Sequence, residues 1–199
     1  MIKQIFDTKQ DEVTLSKTGR VLICVNETEL QVVEQRAVES DDASAELSYE
    51  DVTVTKYQYD TLWVKPVKQS DAEILKAFKR ARVAEIDEYD TSGDVNSFSL
   101  NGVTLWLDRD TRGSLKNRLE AENAAGKTSS TIWYEGYSFA LPIEYSLDLL
   151  NALEVYASEC YDVTAQHKVD VEACDTIAEV GACDITTGYP GNPAFTISE

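Results

Sequence analysis

FSLNGVTLWL (98–107) and IWYEGYSFAL (132–141) are the two stretches on which the fold turns. Both alternate apolar and polar side chains, the period of a half-buried strand, on either side of a short turn. In the first, the turn is Asn101-Gly102, the pair that two-residue hairpin loops favour because both central residues take positive φ. In the second it is Glu135-Gly136. Leu100, Val103, Leu105 and Leu107 of the first hairpin answer to Tyr134, Tyr137, Phe139 and Leu141 of the second. A helix follows each. TRGSLKNRLEAENAAG (111–126) carries Leu115 and Leu119 at helical spacing, and a longer helix starts at Pro142, a residue suited to the first turn. The pattern predicts a β-β-α unit used twice. Two copies are too few for a solenoid, so the hairpins are expected to combine into one small sheet. The core is expected to include Leu105, Leu115, Leu119, Phe139, Leu150 and Leu153.

Upstream, SDAEILKAFKRARVAEIDEY (70–89) reads as a helix, with Ser70 and Glu73 spaced as a capping box. Ile74, Phe78 and Ala81 form an apolar stripe with no evident partner in the chain, which marks them as candidate contacts between copies. The basic cluster Lys76, Lys79, Arg80 and Arg82 suits docking on an acidic partner, but is expected instead to pair with the acidic loop ESDDASAELSYED (39–51) of its own chain. Residues 1–69 read as β-rich, with strands near 20–25, 29–38, 51–59 and 61–67 and a hairpin turn near Asp60. Downstream, 175–182 reads as a short helix and TTGYPGNPAF (186–195) as an extended tail. Tyr189 and Phe195 are its candidate contacts, made with another part of the chain or a neighbouring subunit. The fold class is α+β: a β-rich N-terminal domain (1–69), a connecting helix (70–89), and a C-terminal domain of two hairpin–helix units with its tail (90–199).

The 199 residues carry 18 Lys and Arg against 36 Asp and Glu, a formal net charge of −18. Such a surface repels a phosphate backbone, which argues against direct nucleic-acid binding. No apolar run reaches the ~18 residues of a membrane-spanning helix, and the N-terminus lacks a signal-like apolar core. Cys24, Cys160, Cys174 and Cys183 include no C-x-x-C pair and are read as free thiols in a reducing cytoplasm.

Motifs that resemble sites dissolve on inspection. Gly126-Lys127-Thr128 ends like a phosphate-binding loop, but Ala121 stands where the first glycine belongs and a helix precedes it. Gly126 reads instead as a helix C-cap. DRDTRG (108–113) opens like a calcium loop, yet Arg112 occupies a ligand position and Leu119 the place of the final Glu. DTSGDVN (90–96) reads as a turn. His167 lies late in a helix, and the spacing of Cys160, His167, Cys174 and Cys183 matches no common zinc pattern. No catalytic residue, cofactor site or metal site is assigned.

The segments NGVTLWLD (101–108), TRGSLKNR (111–118), GKTSSTIW (126–133), LLNALEVYASECYDVTAQH (149–167) and TIAEVGACDITTGYP (176–190) together carry a resemblance. Residues 85–190 resemble a domain of unknown function at the C-terminus of bacteriophage tail-associated proteins, in the form found in phages of gut Bacteroidetes. The resemblance implies a structural virion protein, a component or adaptor of the tail or of a fibre, assembled in the host cytoplasm. Its partners would be other virion proteins and further copies of itself. Residues 1–69 would dock on the virion, and the helix would space the C-terminal domain away. A fibre-assembly chaperone is the alternative. The resemblance implies no catalytic residues.

Overall fold

The computed structural model describes residues 1–38, 49–134 and 136–197. Among them the chain is α+β, with four helices and three sheets. It divides into two compact units, each built from two stretches of chain. The first takes Met1–Glu85 with Asp170–Cys183, and the second takes Ile86–Val169 with Asp184–Glu199. This division does not follow the expected bounds at 69 and 89.

The first unit holds an antiparallel sheet in the order β1 (Ile2–Phe6), β4 (Tyr49–Val64), β3 (Val21–Ala37), β2 (Val13–Leu15). β3 and β4 are long, at 17 and 16 residues. Each joins two stretches that sequence patterning reads as separate strands. Asp60 is no turn: it pairs with Lys3 on one side and Val25 on the other. VLICV (21–25) is buried throughout, as expected of a strand covered on both faces. The burial ends at a β-bulge between Val25 and Thr28. There Asn26 takes a left-handed φ of 56° and its amide donates to Asp60 Oδ2 (2.9 Å) and to the Gly181 carbonyl (2.9 Å).

Two helical pieces complete this unit. α4 (Ile177–Ala182) starts with a capping box, Thr176 and Glu179 each bonding the other's backbone N–H. It brings Gly181 against Val25 so closely that a Cβ there would sit 2.5 Å from Val25 Cγ2. α1 (Asp71–Asp90) contributes its first 15 residues to this unit. Ile74 and Phe78 are 4 % and 0 % exposed, and Ala81 is half-buried. The stripe expected to meet other copies is therefore largely covered within the chain itself.

The second unit carries the paired hairpins. β5 (Phe98–Leu100) and β6 (Val103–Leu105) turn through Asn101 and Gly102 at φ 49° and 78°. β7 (Ser129–Tyr134) pairs with β8 (Tyr137–Pro142), Tyr134 opposite Tyr137. The two hairpins do not merge into one sheet. β5 instead takes the C-terminal strand β9 (Ala194–Phe195) as a parallel neighbour, while β7 and β8 stand as their own sheet. What the hairpins share is a core. Phe98, Leu100 and Leu105 bury with Leu119 of α2 (Arg109–Ala124), with Leu141, and with Leu150 and Leu153 of α3 (Ile143–Ala173). Leu115 and Phe139 pack on its margin.

Candidate functional site

The near-motifs have structural occupations. Gly126, at φ 81°, closes α2: its N–H reaches the Asn123 carbonyl (2.9 Å) and the Lys127 N–H the Glu122 carbonyl (3.1 Å). This is the doubly bonded glycine C-cap of a helix, with the Lys127 side chain 3.3 Å from Glu122 Oε1. Asp108 caps the other end, accepting from the Thr111 N–H (2.8 Å) and hydroxyl (2.9 Å), and these bonds hold its carboxyl below the usual range. Arg112 is buried. Its guanidinium donates to the Leu107 carbonyl (2.7 Å), meets Glu154 Oε2 at 3.0 Å and lies over the Trp106 ring. It links a strand exit, α2 and α3. In 90–96, backbone bonds to Ser92 form the expected turn, and Asp90 accepts from the Thr164 hydroxyl (2.7 Å). Among the described residues, no group of three or more His, Cys, Asp and Glu side chains could hold a metal ion. Nor is any helix among them long and apolar enough to cross a membrane.

The tail has partners in its own unit. Tyr189 stands edge-on to Tyr89 (5.4 Å between centroids), lies 5.7 Å from the His167 ring, and shares a hydrogen bond with Thr164 (3.0 Å). His167, half-buried, bonds the Thr187 carbonyl through Nε2 (2.9 Å). The Tyr156 hydroxyl, kept protonated by burial, donates to the Val95 carbonyl (2.6 Å) and lies 2.9 Å from Asn192 Oδ1. Phe195 packs edge-on against Phe98 (5.9 Å), and the Ile197 N–H reaches Asn101 Oδ1 (2.9 Å). Residues 185–197 are thus a bound strap rather than a frayed end, with Asn192 lying between the Tyr156 and Ser97 hydroxyls.

An unoccupied face lies elsewhere, on the outer part of β3 and β4. β1 reaches only as far as Tyr57 along β4, and β2 only Ile23 along β3. From Leu30–Lys56 to Ala37–Tyr49, eight residue pairs run on as a two-stranded ribbon. At ~3.4 Å per residue this is roughly 27 Å of arm. One face carries Leu30, Val32, Val52 and Val54, closed near its base by Lys56 between Asp7 and Glu34. The other carries Gln31, Val33, Thr53 and Tyr49, with Val33 62 % and Tyr49 60 % exposed. Among the described residues, neither ribbon edge has a neighbouring strand. Alternation in ELQVVEQRAV and DVTVTKYQY is the signal for these strands. Nothing local shows that they continue past every other strand.

Lys79 and Arg82 of the basic cluster do not wait for an acidic loop. Lys79 Nζ donates to the Glu172 carbonyl (2.6 Å), and Arg82 meets Glu85 and the Cys183 carbonyl (2.7 Å). Of the expected acidic loop 39–51, Tyr49, Glu50 and Asp51 are instead the first residues of β4, paired with Ala37, Arg36 and Gln35. The expected pairing with the rest of it, like the turn at Glu135, lies outside the described residues.

The chain matches no family model, no curated protein and no solved structure.

Proposed function

We propose that this chain is a structural bacteriophage virion protein, a component or adaptor of the tail or of a fibre, that meets its neighbours through the β3–β4 ribbon. The observation that carries the reading is that ribbon. Two-stranded ribbons are marginal by themselves in water, and an open strand edge is a template for pairing with another chain. The resemblance of 85–190 to tail-associated proteins supplies the virion setting. The charge of −18 favours a neighbour that offers apolar or basic contacts, because like charges would oppose docking. Repetition of parts in a virion makes further copies of the chain natural partners.

Mass spectrometry of purified particles tests the setting, with the chain expected at stoichiometric abundance. Its absence from mature particles, together with a fibre that trimerises only when this chain is co-expressed, would replace the structural role with that of an assembly chaperone. The ribbon is tested by Val33→Lys with Thr53→Lys, on the more exposed face. Incorporation should fall while the folded fraction stays unchanged.

A further inference from the structure

Cys174 and Cys183 bring their sulfurs to 3.5 Å, both free and both half-buried. The arrangement is fixed from several sides. Cys174 follows the end of α3, with its thiol on the Asp170 carbonyl (3.2 Å). Cys183 is the C-cap of α4, with its thiol on the Glu179 carbonyl (3.4 Å). Between them the Thr176–Glu179 capping box holds α4 in shape. From α1, one turn apart, Lys79 and Arg82 pin the backbone carbonyls of Glu172 and Cys183. All of these residues belong to the first unit. Cys24 and Cys160, by contrast, are buried singly.

We propose that Cys174 and Cys183 are a built dithiol that closes to an intrachain disulfide on exchange with a small-molecule disulfide, ringing α4 between the end of α3 and its own C-cap. With oxidised glutathione as the co-reactant, the thiolate of one cysteine attacks a glutathione sulfur. A mixed disulfide forms and one glutathione thiolate leaves. The second cysteine, already alongside, attacks the protein sulfur of that mixed disulfide and expels the other glutathione. The protein gives up two electrons and two protons, and glutathione disulfide becomes two glutathione thiols. The closed loop runs from 174 to 183 and encloses α4. Since Asp170–Cys183 is the stretch by which the chain returns to the first unit, the bond restricts the freedom of that stretch when unfolded. The inference does not depend on the virion role.

Burial, and then the neighbouring Cys183, push the Cys174 thiol up to about 11. Cys174 is therefore almost wholly protonated at neutral pH, and closure through its thiolate quickens about tenfold for each unit by which the pH is raised toward that value.

The test uses the full chain, incubated with oxidised or reduced glutathione and then alkylated under denaturing conditions. The reduced chain takes four alkyl groups, one per cysteine. The oxidised chain should take two, lose two hydrogens, and yield a peptide joining 174 to 183. Its melting temperature should rise, and Cys174→Ser should abolish both the cross-link and the rise. Stable glutathione adducts on either residue, a cross-link between chains, or an unchanged alkylation count under oxidation would each overturn the proposal. The alkylation count and the joined peptide are read on the native chain, so they decide the matter even if the variant folds poorly.

Discussion

Two side chains show how local chemistry holds this molecule. Gly181 sits where any Cβ would come within 2.7 Å of Val25 Cβ as well as 2.5 Å of its Cγ2. Both atoms belong to a stiff β-branched residue on a buried strand, so the backbone of α4 would have to move. Gly181→Ala should cost about 1–3 kcal/mol, read by urea unfolding with an unchanged m-value. No loss would mean that α4 does not press on β3. Arg112 makes a different case. Its ion pair with Glu154 is half-open to water and contributes little. The buried Leu107 carbonyl is what depends on it. Arg112→Lys keeps the charge but cannot hold that carbonyl, span Glu154 and cover Trp106 together. A loss of about 1–3 kcal/mol is expected, and Glu154→Gln should cost distinctly less. Equal losses would shift the credit to the ion pair.

Among the elements, α3 is the most demanding, because Leu149, Leu150 and Leu153 all point into the core that the hairpins share. Leu150→Ala should lower stability by about 2–5 kcal/mol; a change under about half a kcal/mol would show that the helix face is wrong. This face is legible in the sequence, as are both hairpins, α2 and its glycine stop. Each is written within a few residues as a period or a turn. What escapes the sequence is either non-local or disguised. Asn26 and Glu27 look like a break between strands, yet the chain passes them as a bulge and β3 continues. β1 and β2 are short and lack a clear period, so nothing in the sequence marks them out. The pairing of β5 with β9 joins Ser99 to Ala194, and no pattern along the chain encodes a partner that far away. Ile74 and Phe78 look unpartnered for the same reason, and the Cys174–Cys183 pair depends on a helix ending between two ordinary cysteines. Of the candidate surface, the strands can be read and their reach cannot.

On the scale of the whole molecule, the C-terminal strap is where a late stretch of chain completes an earlier unit. β9 gives the β5–β6 hairpin its third strand, with the Ser99 N–H on the Pro193 carbonyl (2.9 Å) and the Asn101 N–H on that of Phe195 (3.0 Å). Phe195 and Ile197 pack against the shared core, and Tyr189 joins the cluster around Val95, Tyr156 and Cys160. Asn192 lies between the hydroxyls of Tyr156 and Ser97. Removing residues 189–199 would expose this apolar surface, take Asn192 from the Ser97 hydroxyl, and leave the Thr164 and Tyr156 hydroxyls with Asp90 and the Val95 carbonyl alone. Full burial of one large apolar side chain is worth about 1.5–3 kcal/mol, and Tyr189, Phe195 and Ile197, each half-buried, would all be lost together with the β9 backbone bonds. The truncated chain should therefore lose a large part of a typical domain's ~5–15 kcal/mol. Its melting temperature should fall well below that of the full chain. Amide exchange should quicken first in 98–105, where the β5 edge is laid open, and only slightly in β1 and β4. A truncated chain that melts with the full-length one, with unchanged exchange at Ser99 and Asn101, would show that β9 rests on the second unit without supporting it.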